Sequence, residues 1–453
     1  MKFLLKKRNI LKLYLSILLM VIFFYTIIYP YNSIEHDKYQ TKKFDDLKDE
    51  KLYQKQNIKY RSVEKSSTVK KQTQSMTAKL GIVMFGCNRT LYMTHSLDKL
   101  LQIKAKTQKR FKELYSVSNQ FMSEYVQLPI ILSMDCHYLP TLSEMFEYYK
   151  QGDVLKVYDF DEINYYETKL YFRTEKHLIP YYRLTMNYKL AFENIFHDYP
   201  TLEQLIVVED DLGYSDDFLE YFIAFSSILK QNKELFCLSA WNDNGKDELM
   251  NKDKDYSLLR HTDFFPGLGW MLNKDVWEKE LHSVWPEAFW DDWIRGQMKG
   301  RTCIQPIKSR TETFGKKGTS NGQYFETHLI KIKASEKYVP FYKLLNTYIE
   351  TINIQTYRKN LLENVYNQSL SIHPSVFAYQ ARMMLLDKNK SYKMIYFTRY
   401  QFVQYSQHFG LMSDTKWGIP RGALDGIVSF THKGYNVHLA PPESRKIYIK
   451  NWS

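Results

Sequence analysis

The stretch VVEDDLGYSDDF, residues 207–218, leads an apolar run directly into three adjacent carboxylates, Glu209, Asp210 and Asp211. Like charges packed this closely repel, so a fold that holds them must bring positive charge to meet them. The run before them, LEQLIVV (202–208), reads as a buried strand. So do KLGIVMFGC (79–87), LPIILSMDC (128–136), VLKVYDF (154–160) and LFCLSAWND (235–243). Helical patterns lie between them, one from about Thr94 to Lys106 and one from Pro180 through YYRLTMNYKLAFENIF, with Leu184, Tyr188, Ala191 or Phe192, Ile195 and Phe196 at helical spacing. Strands alternating with helices predict an α/β fold with a mainly parallel sheet covered on both faces. Ligands of such sheets bind outside the carboxyl ends of the strands, where Asp135 and the acidic triplet both fall.

The N-terminus is of another kind. Lys2, Lys6, Lys7, Arg8 and Lys12 precede LYLSILLMVIFFYTIIY (13–29), which carries no charge. That length spans a bilayer at the short end of the range, and no small-residue cleavage site follows. The basic end belongs in the cytosol, which predicts a type II anchor at 13–29 behind a cytosolic tail, 1–12. Residues 30–79, polar and without apolar period, read as a solvated stem. The first 79 residues hold roughly +10 of the net charge of +13. The folded body is therefore only mildly basic, and a nucleic-acid partner is not expected. The apolar fraction, 44%, suits a globular body. Its expected parts are an α/β domain at 80–318, a loop at 319–334 around the glycine-rich FGKKGTSNGQ, and a smaller α+β domain at 335–453. A β-hairpin is predicted through HKGY (432–435).

Four cysteines, Cys87, Cys136, Cys237 and Cys303, form no CxxC pair, so zinc and redox motifs are excluded. A lumenal body favours two disulfides, with three pairings open from spacing alone. Sequons occur at Asn88, Asn367, Asn389 and Asn451.

Carboxylates at a strand end suit a hard divalent cation, which takes one or two of them plus phosphate oxygens. Asp216 and Asp217 read differently, as an acidic helix N-terminus behind a capping Ser215. In WPEAFWDDWIRG, Trp285, Trp290 and Trp293 surround Asp291 and Asp292. Aromatic planes beside carboxylates suit sugar recognition, and burial against tryptophan raises a carboxylate's pKa toward that of a general base. The alternative is a tryptophan-rich core helix with surface acids.

The segments VVEDDLGYSDDFLEYF, CLSAWNDNGKD, TDFFPGLGWML, WPEAFWDDW, SRTETFGKKGTSNGQYF and the terminal VHLAPP resemble the alpha-1,3-mannosyl-glycoprotein 2-beta-N-acetylglucosaminyltransferases, or N-acetylglucosaminyltransferase I. The likeness runs from about residue 80 onward and is dense between 203 and 328. It implies a GT-A type fold, a Golgi membrane enzyme, and Mn²⁺-dependent transfer of GlcNAc from UDP-GlcNAc to a terminal mannose of an N-glycan. Residue by residue, Asp211 is then the metal ligand, and Asp210 and Glu209 contact the sugar and ribose. Asp135 meets the uracil side and Arg89 the nucleotide. Asp291 is the catalytic base with Trp290 beside it, and Ser320 lies in a loop that orders over the donor. The implied disulfides are Cys87–Cys136 and Cys237–Cys303. The family's donor-site histidine aligns with Asn187, which donates a hydrogen bond but cannot carry a proton. Asn88 stands where the family usually has an acid.

The implied chemistry is a single inverting displacement with an oxocarbenium-like transition state, so no protein nucleophile is required. An O-mannose-directed β-1,2-GlcNAc transferase and a catalytically silent, membrane-tethered lectin are the alternatives. A metal-dependent hydrolase would need a further carboxylate to activate water, and none stands out. A glycan on Asn88 would crowd Arg89, so this sequon is predicted to be unused; a glycopeptide at Asn88 in mass spectrometry of the secreted-pathway protein would contradict that.

Overall fold

The computed structural model describes residues 76–114, 120–160, 178–251, 254–316, 318–320 and 322–443. The expected tail and anchor lie outside these residues, as does the stem up to residue 75. Among the described residues no helix is long and apolar enough to cross a membrane. Part of the last stem stretch packs against the folded body. Ala78 is buried, Met76 packs against the same cluster, and Lys79 pairs with Glu203 at 3.0 Å.

Among the described residues, ten strands precede residue 314: β1 (Leu80–Gly86), β2 (Ile130–Met134), β3 (Lys156–Asp159), β4 (Gln204–Glu209), β5 (Leu212–Tyr214), β6 (Leu235–Ser239), β7 (Leu259–Thr262), β8 (Trp270–Asn273), β9 (Thr302–Pro306) and β10 (Thr311–Thr313). Eight of them form one sheet in the order β3-β2-β1-β4-β8-β6-β9-β7. The neighbours β3, β2, β1 and β4 are parallel, as expected. The sheet departs from the parallel expectation at β8, which runs antiparallel between β4 and β6, and at the edge strand β7. TDFFPGLGWML, read only as a motif, thus supplies a central strand. Short β5 pairs with β10 in a separate ribbon.

The helices that position the site are α1 (Thr90–Leu114), α2 (Leu139–Gln151), α3 (Ile179–Asp198), α4 (Phe218–Gln231) and α5 (Trp290–Gln297). Strand residues alternate between the two faces they cover. Ile82, Met84, Leu132 and Ile206 pack with α1, α2 and α4. Val83, Phe85, Ile131 and Val207 pack with α3 and α5. The chain builds β1, β2 and β3 outward in one direction, then returns to place β4 on the other side of β1. The strand order therefore reverses between β1 and β4, which opens a crevice at their carboxyl ends.

Both implied disulfides are formed. Cys237 and Cys303 are directly paired residues of β6 and β9, and Cys87–Cys136 ties the ends of β1 and β2.

The C-terminal part contains β11 (Leu370–Ser371), β12 (Ser391–Ile395), β13 (Thr415–Lys416), β14 (Ile419–Pro420), β15 (Val428–His432) and β16 (Tyr435–Ala440). Its sheet runs β11-β12-β16-β15 over its own apolar cluster, including Phe377, Tyr392, Phe402 and Phe409. The HKGY hairpin turns through Lys433 (φ 51°) and Gly434 (φ 83°), both left-handed, as a two-residue hairpin of this type requires. Val339, Phe341 and Tyr348 precede that cluster and pack into the larger core with α4.

Asp216 and Asp217 separate. Asp216 lies at the surface, 2.9 Å from Lys106. Asp217 is fully buried with Arg310 at 3.1 Å. Ser215 donates to Asp217 Oδ1 at 2.5 Å, so its hydroxyl satisfies this ion pair rather than capping α4. The Val339 amide donates to the other Asp217 oxygen at 2.8 Å, which pins the following segment to the core. Removing one partner strands a buried charge. Arg310→Met should therefore cost about 3–5 kcal/mol in denaturant unfolding; a loss below about 1 kcal/mol, the range of a surface pair, would show that the pair does not anchor this segment.

Candidate active site

The reversal between β1 and β4 sets the first part of the site. Phe85 pairs with Glu209 in the register of these strands, so the residues after β1 face the acidic triplet. Arg89, three residues beyond β1, turns its guanidinium onto it. It grips Asp210 through both oxygens, with Nε at 3.2 Å from Oδ2 and Nη2 on Oδ1. Its Nη1 donates to Asp211 Oδ2 at 2.9 Å. Burial opposes the Arg89 cation, but Asp210 and Asp211 outweigh it and raise its pKa. This arginine is the positive charge that the triplet demands.

Glu209 is the last residue of β4, and Asp210 and Asp211 lie in the turn beyond it; the triplet divides at that point. Glu209 turns away from Arg89 and accepts from the Tyr188 hydroxyl at 2.9 Å. Burial, then the Asp211 charge, pushes Glu209 up to about 7. Burial likewise pushes Asp210 up to about 7, against the pull of Arg89.

The glycine-rich loop closes over the same place. Thr313 pairs with Leu212 in the β5–β10 ribbon, and the Phe314 amide donates to the Asp211 carbonyl at 3.0 Å. A Cβ on Gly315 would fall 1.9 Å from Asp211 Oδ2, and one on Gly318 would fall 3.5 Å from Arg89 Nη1. Only glycine at 315 lets the loop cross Asp211. Ser320 is exposed further along this loop, and its carbonyl accepts from the Gln323 amide at 3.1 Å.

Tyr188 joins the triplet to α5. Its ring lies between Phe85, at 3.7 Å, and Trp290, at 4.2 Å. Burial, followed by the charges of Glu209, Asp291 and Asp211, raises its hydroxyl pKa well above the ordinary value. The hydroxyl thus lies within the fields of both the triplet and Asp291. Sequence spacing marked Tyr188 only as an apolar position of a helix; its hydroxyl carried no separate signal.

Trp290 is not a sugar platform. It is buried, stacked on Tyr188, with Trp270 and Trp285 at 6.0 and 6.2 Å. The tryptophan-rich motif is thus core at Trp285 and Trp290, and the expected burial falls on the rings rather than on Asp291. The Asp291 carboxylate is 52% exposed, with Arg295 at 3.7 Å. Asp292 is held at 2.6 Å by Arg295 and at 2.9 Å by Lys416. Of the pair, Asp291 is the one open to a substrate hydroxyl.

Beyond β2, Asp135 is buried beside the Cys87–Cys136 bridge, and Arg183 donates to its carbonyl at 2.6 Å. His137 contacts Asp159 at the end of β3. Asn187 is buried on α3; its Oδ1 accepts from Ser133 at 2.5 Å, while its Nδ2 makes no hydrogen bond. A buried amide donor is left available near the strand ends. Arg183 and Asp159 lay within a predicted helix and strand without a site reading, and His137 in no motif, because their contacts come from the meeting of strand ends distant in sequence.

The chemistry of the site fits a hard divalent cation. Arg89 holds both oxygens of Asp210 but only Oδ2 of Asp211, so Asp211 is the carboxylate that would ligate it, without a competing thiolate. Cys87, Asp135 and Cys136 also converge, but both sulfurs are committed to a disulfide.

A relative from Arabidopsis thaliana, alpha-1,3-mannosyl-glycoprotein 2-beta-N-acetylglucosaminyltransferase, is 28% identical over 386 residues, 84% of this chain and 78% of its own length. Among solved structures, a mannosyltransferase from Pyrobaculum calidifontis in complex with GDP-Man and Mn²⁺ matches at 14% identity with a TM-score of 0.34, covering 68% of this chain and 81% of its own. A glycosyltransferase involved in glycosylation of the PBCV-1 major capsid matches at 7% identity with a TM-score of 0.25, covering 55% and 98%. The description of the GNT-I family matches residues 32–452. With that match over nearly the whole chain, the chain belongs to the GNT-I family.

Proposed function

We propose that this protein is an inverting β-1,2-N-acetylglucosaminyltransferase that moves GlcNAc from UDP-GlcNAc to the α-1,3-linked mannose of an N-glycan. Its place is the Golgi lumen, tethered by the segment at 13–29. The observation that supports it best is the meeting of three separate sequence features at one crevice, the acidic pair, Arg89 and the glycine-rich loop, with Asp291 linked to them through Tyr188 and Trp290.

Asp211, with Asp210 beside it, would hold Mn²⁺, which when bound neutralises charge growing on the departing diphosphate. Arg89 stands at the same carboxylates and supplies a fixed guanidinium suited to phosphate oxygens. The loop over Asp211 excludes water from the donor. Asp291, open to solvent at the start of α5, removes the proton from the mannose 2-hydroxyl as that oxygen attacks the anomeric carbon. Attack from the face opposite UDP converts the α-linked donor into a β-linked product. Asp292 is unsuited to this role because two cations hold it.

Detergent-solubilised protein, UDP-GlcNAc, Mn²⁺ and a Man5 N-glycan should give a product with a single added HexNAc. Transfer only to an O-mannosyl peptide would move the substrate to O-mannose, and UMP or phosphate release without transfer would replace the reading with hydrolysis. Asp291→Asn should lower turnover at least about a hundredfold while donor binding persists, whereas Asp211→Asn should also abolish metal-dependent donor binding. Equal residual activity in both would break these assignments. Gly315→Ala should weaken Mn²⁺-dependent UDP binding by at least about tenfold, measured by titration calorimetry, because its methyl group displaces Asp211 or the loop. Unchanged binding would mean that the loop does not lie over a working metal ligand.

A further inference from the structure

The C-terminal part sends a tryptophan onto the helix that carries Asp291. Strands β13 and β14 pair Lys416 with Ile419, which leaves Trp417 and Gly418 as a two-residue turn with φ of 52° and 75°. Turns with both central residues left-handed strongly favour Asn-Gly, Asp-Gly or Gly-Gly. A bulky side chain in the first position is an outlier. The turn therefore holds an indole where the local backbone favours asparagine. That side chain is also 59% exposed. Neither backbone preference nor burial accounts for it.

Its placement is nonetheless definite. The indole Nε1 donates to the Asp292 carbonyl at 2.8 Å. The preceding Lys416 holds the Asp292 carboxylate at 2.9 Å. A Cβ on Gly296 would meet Cη2, Cζ2 and Cε2 of the ring at 3.1, 3.1 and 3.2 Å. Three ring atoms at nearly one distance mean that the six-membered ring lies flat over Gly296. One face rests on α5 and the other points outward. Asp292 and Gly296 lie one turn apart on the helix surface, next to the row that carries Asp291 and Arg295. A rigid, immobilised aromatic face thus stands beside the open carboxylate.

We propose that the outward face of Trp417 is an acceptor subsite, on which the apolar face of a pyranose of the mannose-terminated glycan stacks. This inference rests on the functional reading above. It supplies the sugar platform that Trp290, buried in the core, cannot provide. An aromatic plane held at both edges loses little freedom when a sugar covers it. The subsite acts through binding, in ground and transition states alike, so it sets the acceptor KM and leaves kcat nearly unchanged.

Trp417→Asn separates this role from a structural one, because asparagine suits the turn. In the full-length, detergent-solubilised protein this variant should raise the KM for Man5 N-glycan about tenfold. The kcat, the UDP-GlcNAc KM and the midpoint of thermal unfolding should stay at wild-type values. Trp417→Phe, which keeps a ring, should recover part of the acceptor affinity. Titration of Man5 N-glycan without donor should perturb indole fluorescence in the wild type and much less in Trp417→Asn. An unchanged acceptor KM in Trp417→Asn overturns the proposal. So does a loss of donor affinity and thermal stability in step with acceptor affinity, which would make Trp417 a prop for α5. A wild-type protein that transfers nothing to Man5 removes the functional reading, and this inference with it, before any variant is compared.

Discussion

The contact on which the rest of the site depends is that of Arg89 with Asp210 and Asp211. Three consecutive carboxylates at a strand end would repel one another in a low-dielectric crevice. The guanidinium answers two of them, and the third, Glu209, at the end of β4, turns away to Tyr188. This works only because β1 and β4 are neighbours, so that the residues after one strand meet the end of the other. The strand order that opens the crevice is also what neutralises it. A fixed arginine and a hard oxygen ligand at one point give a centre suited to a nucleoside diphosphate with its metal.

A second constraint links this centre to Asp291. Phe85 on β1, Tyr188 on α3 and Trp290 on α5 stack in succession, with Trp270 and Trp285 beyond. Aromatic packing of this kind is stiff, since each ring has neighbours on its faces. In the proposed reaction, the carboxylate that removes a proton would have to stand at a set distance from the group that holds the leaving phosphate. The stack fixes α5 relative to β1 and β4, and Tyr188 adds a hydrogen bond to Glu209 within the same column. The tryptophans of the WPEAFWDDW motif thus serve the site from the core.

Much of the larger domain was legible in the sequence. The parallel strands β1 to β4 and helix α3 follow the predicted segments within a few residues, because continuous apolar runs and 3.6-residue spacing report burial directly; α1 runs on to Leu114, well past the predicted end at Lys106. The antiparallel β8 was missed: four residues flanked by glycine and proline carry too little period to mark a strand. Of the two readings of WPEAFWDDWIRG, the folded chain adopts the core helix with surface acids at Trp290 and Asp291, a choice the sequence left open because burial is shared out among neighbours only when the chain is folded. Trp417 had no signal at all. Its partners on α5 lie more than a hundred residues away, and its turn resembles any other short hairpin.

What the sequence determined by itself was the chemistry at hand and the strand ends where it would gather: acidic triplet, glycine-rich loop, cysteines and the alternation of strand and helix. These are local properties, set by residue type and period. What the tertiary structure alone decided was which groups face one another. It placed Arg89 on the acidic pair, Gly315 over Asp211, Tyr188 between the triplet and α5, and an exposed indole beside Asp291. Such pairings join residues from about 20 to over 120 positions apart, and no local period encodes a contact of that range. They follow from strand order and loop closure, which exist only once the sheet has formed.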